Sequence, residues 1–167
     1  SLTLPADTNI VEQVSWSATA TGSDSDVPSN PLTYALVSGP TGLAVAAGGV
    51  ISWTPTEAQG PGVYTVTVSV TDTNASAASA RTLSTTNSFI VTVNEVNTAP
   101  VLTLPADTNI VEQVAWSATA TATDSDLPSN PLTFALVSGP AGLAVAAGGV
   151  ISWTPSEAQG PGVYTVT

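Results

Sequence analysis

The chain repeats itself at a period of one hundred residues. Residues 1–67 align on 101–167 without a gap, and the 67 aligned positions differ at 8 and agree at 59. The differences are mild: Tyr34 becomes Phe134, Val27 becomes Leu127, Thr56 becomes Ser156. A period of this length is a whole domain and not one turn of a solenoid. Any fold proposed for this chain must therefore close on itself within about one hundred residues and then occur again. The second copy stops at Thr167, where the first continues "VSVTDTN".

Within a repeat the hydrophobic period is two. The segment "VSWSATAT" (14–21) alternates, which predicts Val14, Trp16, Ala18 and Ala20 on an inward face. In "VYTVTVSVTD" (63–72), Tyr64, Val66, Val68 and Val70 fall on one face. In "SFIVTVNEV" (88–96), Phe89, Val91 and Val93 do the same. Two more strands are read in "LTYALVSGP" (32–40) and "GGVISWTP" (48–55), each ended by Gly and Pro. No segment has a helical period. About seven short strands per hundred residues predict an all-β chain of two-sheet sandwiches. Repeat 1 is expected over 1–96 and repeat 2 over 97–167, the latter without its final strand. The connector "VNEVNTAPVLTL" has no Gly/Ser run, and with Pro100 it reads as a stiff joint. The small polar stretch 72–87 reads as a long loop or an extended hairpin. Repeat 2 then either belongs to a window of a longer array or takes its missing strand from another subunit.

Composition removes several functions. There are 12 Asp or Glu against one basic residue, Arg81, for a net charge of −11. Such a surface repels nucleic acid and anionic lipid and attracts divalent cations. With no His or Cys, the commonest general base and every thiolate site are missing, and no Ser has an evident base. No apolar run is long enough for a membrane span, and the absence of Met reads as a mature or excised piece. Asp24 and Asp26, like Asp124 and Asp126, sit one residue apart with Asn30 or Asn130 four positions on. Such a loop could be a metal site, a catalytic pair or an Asx-type turn. A glycosidase pair needs two acids across a cleft, which one polar loop does not provide. Trp16 and Trp53 could stack on sugar rings, although their register with apolar neighbours favours core packing.

The skeleton "YALVSGPTGL … GGVISWTP … GVYTVTVSVTD … FIVTVNEVNTAP" resembles the cadherin-like and immunoglobulin-like tandem repeats of large bacterial surface proteins. The resemblance covers the whole chain. It implies tandem immunoglobulin/cadherin-like β-sandwich domains in an extracellular, non-enzymatic adhesin, stalk or filament at the cell surface. The implied partners are neighbouring repeats of the same protein and other copies of it in a polymer. A carbohydrate- or protein-binding module is the alternative. The resemblance also implies calcium at the joint between repeats. Glu12 and Glu57 match the family's early and later Glu, and Glu95 and Asn97 match its linker. Asp124 and Asp126 match the D-x-D loop of the next repeat, with Asn130 as a nearby carbonyl donor. Asp72 resembles the Asp that closes the preceding joint. Pro55 and Thr98 stand where the family often has Asp, which implies weaker binding. Calcium takes six to eight oxygen ligands and needs neither Cys nor His.

Overall fold

A computed structural model describes residues 1–27, 29–79 and 81–167. The chain divides into two compact units, Ser1–Val96 and Asn97–Thr167. Among its described residues unit 1 contains nine strands: β1 (Leu2–Thr3), β2 (Thr8–Val11), β3 (Trp16–Thr19), β4 (Thr21–Gly22), β5 (Leu32–Ser38), β6 (Ala44–Val45), β7 (Val50–Trp53), β8 (Gly62–Thr73) and β9 (Thr82–Asn94). One sheet has the order β2-β9-β8-β5 and the other β3-β7-β6, while β1 pairs with β4. All pairings are antiparallel except β2 with β9, which is parallel. This is the all-β sandwich the alternation predicts.

The core lies between the two sheets. Ile51, Val66, Val68 and Val91 are fully buried, and Val93, Trp53, Phe89, Leu43, Ile10 and Ala20 join them. Each fully buried aliphatic side chain contributes about 1.5–3 kcal/mol relative to exposure. Trp53 meets Tyr64 edge to face with centroids 5.2 Å apart, and its indole N–H donates to the Thr41 carbonyl at 3.2 Å. Trp16 is half-buried, packs against the cluster and lies 6.3 Å from Phe89. Of the stretch 72–87, residues 72–73 and 82–87 belong to a long β8–β9 hairpin whose register runs from Gly62↔Val93 to Thr73↔Thr82, while residue 80 lies outside the described residues. Hydroxyl pairs Thr67–Ser88 and Thr71–Ser84, each at 2.9 Å, line its outer face.

Two details depart from the period-two expectation. Val14 is 56% exposed and does not face inward. The ladder begins only at Trp16, opposite Trp53, because the chain turns at Gln13, which adopts a left-handed φ of 56°. The expected strand 14–21 is also split at Ala20, whose N–H donates to the Gly49 carbonyl at 2.8 Å. Gly49 has φ +90°, and a Cβ there would stand 2.5 Å from the Ala20 oxygen, so both conformation and space require glycine.

Unit 2 repeats the smaller sheet. Its strands are β10 (Val101–Thr103), β11 (Trp116–Thr119), β12 (Thr121–Thr123), β13 (Ala144–Val145) and β14 (Val150–Trp153), with β10 on β12 and the order β11-β14-β13. Its core is Ala120, Leu143, Ile151 and Trp153. Ile151 and Trp153 are 7% and 8% exposed, where Ile51 and Trp53 are 0% and 2%.

Candidate metal centre

Three distant carboxylates meet in unit 1. The parallel pairing of β2 with β9 continues one step past Val11, where the Glu12 N–H donates to the Asn94 carbonyl at 3.1 Å. Gln13 then turns the chain, and its N–H donates to the Pro55 carbonyl at 2.8 Å. These bonds leave Glu12 only 1% exposed, an unusual place for a carboxylate. Glu57 opens a short 3-10 turn, Glu57–Gln59, held by the Thr56 N–H donating to Gln59 Oε1 at 2.9 Å. Glu95 follows the last residue of β9. Glu12, Glu57 and Glu95 each present one oxygen to a common point, all within 4.8 Å of one another.

The environment of this triad is specific. Glu12 Oε1 accepts from the Val96 N–H at 3.1 Å. Glu12 Oε2 is buried and receives no hydrogen bond. Gln13 Nε2 donates to Glu57 Oε2. At an effective dielectric of about 20, unit charges within this spacing repel by at least roughly 3.5 kcal/mol per pair. A cation among the three removes that repulsion and supplies the partner that Glu12 Oε2 lacks. The oxygen-only donor set, without nitrogen or sulfur, suits a hard ion such as calcium. The residues therefore fit the metal that the resemblance implies.

A second acidic group in unit 1 brings Asp24 and Asp26 beside Asp72. Here the oxygens are stitched to nearby donors. Asp24 accepts from the backbone N–H groups of Asp26 (3.1 Å) and Asn30 (3.2 Å), and these bonds, the first being the stronger cause, hold its carboxyl below the usual range. The Asn30 side chain reaches both Asp24 and Asp26, and the Asn74 amide donates to Asp26 at 3.4 Å. Asp72 accepts from the Leu83 N–H at 3.0 Å.

In unit 2 the corresponding loop is the Asx turn, with the Asp126 N–H donating to Asp124 Oδ1 at 3.0 Å. Asp126 is 1% exposed, and its two oxygens accept from the Thr98 N–H at 3.1 and 3.0 Å and from the Thr98 hydroxyl. The Asn130 amide donates to Asn97 Oδ1 at 3.4 Å. Sequence reasoning treats Thr98 only as a lost ligand. The structure makes it the donor that neutralises the burial cost of Asp126. Gln13 escapes notice as well, since nothing in its residue type signals a left-handed turn.

Trp53 is only 2% exposed, which leaves little of its ring open to a sugar. Trp16 and Trp53 border a shallow groove with Ser15, Ser17, Ser52 and Thr54. No helix among the described residues is long and apolar enough to cross a membrane.

The family model described as a putative Ig domain matches residues 2–94. Among solved structures, the chain is similar to protocadherin gammaB7 EC3-6, described as a cis-dimer, with a TM-score of 0.53 at 14% identity, covering 99% of this chain and 46% of that one. It is likewise similar to protocadherin gamma B2 extracellular cadherin domains 3-6, with a TM-score of 0.50 at 17% identity, covering 93% of this chain and 43% of that one. The chain thus spans less than half the length of either. No curated protein matches it in sequence.

Proposed function

This chain belongs to the putative Ig domain family, and from that premise we propose that it is a non-enzymatic structural module of a long extracellular adhesin, stalk or filament, stiffened by calcium. The carrying observation is Glu12: a buried carboxylate with one unpartnered oxygen, facing Glu57 and Glu95. Those three residues would hold the ion in unit 1. Within unit 2 the resemblance names Asn97, Asp124, Asp126 and Asn130 as its own oxygen donors. The module's natural partners are then neighbouring repeats and other copies of the same protein. The cadherin and immunoglobulin likeness supports an extracellular place for it, and the lack of His and Cys supports a role without catalysis.

Thermal unfolding of the 167-residue chain with calcium and then with excess EDTA tests this reading. A ligand bound only by the folded state raises stability by about 2.7 kcal/mol at one hundred times its Kd. A higher melting temperature in calcium, abolished by Glu12→Gln, is the expected result. An unchanged melting temperature at millimolar calcium refutes it.

A further inference from the structure

Gly60 closes the 3-10 turn that carries Glu57, and it is buried. Its backbone sits at φ −109°, ψ 145°, an extended conformation open to any residue and favoured before Pro61. The backbone therefore gives no reason for glycine here. The reason is Glu12. A Cβ on Gly60 would fall on Glu12 Oε2, 2.9 Å from its Cδ and 3.2 Å from its Cβ. The carboxylate occupies the space that a side chain at position 60 would fill. With Oε1 held by the Val96 N–H, it cannot swing aside without giving up that bond. Unit 2 repeats the arrangement: Gly160 is at φ −107°, ψ 146°, and a Cβ there would fall on Glu112 Oε2, 2.8 Å from Cδ. Glycine thus faces this glutamate in both units, although neither backbone demands it.

We infer that Gly60 is the positioning residue of the carboxylate triad: its missing side chain seats Glu12 so that the carboxylate can face Glu57 and Glu95. This rests on the calcium reading above and adds a residue that touches no ion. It predicts that the smallest possible side chain at position 60 damages binding while leaving every ligand in place.

Calorimetric titration of the full chain with calcium tests it, read on the binding event that Glu12→Gln removes. Gly60→Ala should weaken that event about 10–100-fold, the usual cost of disturbing a metal ligand's support. Gly48→Ala is the control, since a Cβ at Gly48 meets nothing within 4 Å; it should bind as the parent does. Glu12→Asp withdraws the carboxylate by one methylene. Alone it should weaken binding, but in the Gly60→Ala background it should recover part of the loss, a rescue that general destabilisation would not give. Metal-free melting of the same variants should show the same pairing, with Gly60→Ala costing less stability when position 12 is Asp. If the parent binds calcium and Gly60→Ala binds equally well, the positioning role is wrong and the calcium reading stands. The role is equally refuted if Gly60→Ala weakens binding but Glu12→Asp recovers none of it. If the parent binds no calcium, both fall.

Discussion

Gly22 and Tyr34 form a pair whose history is written in the second repeat. A Cβ on Gly22 would lie 2.9 Å from Tyr34 Oη, 3.0 Å from Leu32 Cδ1 and 3.1 Å from the Ser1 carbonyl oxygen. All three are closer than ordinary van der Waals contact. In repeat 2 the counterpart of Gly22 is Ala122, and the counterpart of Tyr34 is Phe134, which has no hydroxyl. The methyl gained at one position is matched by the oxygen lost at the other. Gly22→Ala in unit 1 should therefore destabilise. Overpacking by one methyl costs about 1–3 kcal/mol, and the reduced freedom of the unfolded chain returns about 0.4–1 kcal/mol. At the middle of both ranges a net loss of roughly 1.3 kcal/mol remains, and at about 4–8 °C per kcal/mol for a domain of this size the melting temperature should fall by roughly 5–10 °C. Tyr34→Phe added to Gly22→Ala should restore part of this, because it removes the shortest contact but leaves Leu32 and Ser1. The assay is scanning calorimetry on the full chain, following the transition that a unit 1 core change such as Val68→Ala also moves. A Gly22→Ala protein as stable as the parent, or a double variant no better than the single, would refute the steric account.

Two further outcomes follow from the polar contacts. Thr98→Val leaves Asp126 its backbone donor but removes the hydroxyl, so unit 2 should lose about 1–3 kcal/mol, the cost of an unmet hydrogen bond to a buried charge, seen as an earlier calorimetric transition. Asp24 has its carboxyl lowered in the folded state by the Asp26 and Asn30 N–H groups, so its stabilisation is complete above its unfolded value near 3.8 and fades as pH falls through the lower folded value. Asp24→Asn should accordingly flatten the acid limb of a plot of melting temperature against pH, most visibly below pH ~4.

The strands were legible because a half-buried strand must alternate. Val66, Val68 and Val70, and Phe89, Val91 and Val93, announce their buried face by residue type alone. Val14 misled the same rule, since its orientation is set by the turn at Gln13, and a glutamine carries no sign of a left-handed conformation. The triad is of another kind. Glu12 and Glu95 come together through the parallel pairing of β2 with β9, and parallel strands have no tight turn to mark them as neighbours. Only the family resemblance linked them. Thr98 shows the limit of that route: read as a missing acid it is a gap, whereas in the fold it is a donor. Gly60, inside "GPG", reads as one more turn residue, because the side chain it makes room for lies far away in sequence.

The parallel seam between β2 and β9 has a mechanical consequence. One strand stands near the start of unit 1 and the other near its end, and they run in the same direction with Thr8↔Val91 through Val11↔Asn94 in register. A pull on the two ends of the unit drags these strands past each other along their length. Their hydrogen bonds are then loaded together in shear and cannot open one at a time like a zipper. Glu12 adds its backbone bond to Asn94 and its side-chain bond to Val96 at the end of the same seam. Tension borne by such a repeat would thus fall first on the strands that deliver Glu12 and Glu95, so the residues that gather the carboxylates are also those that would resist force.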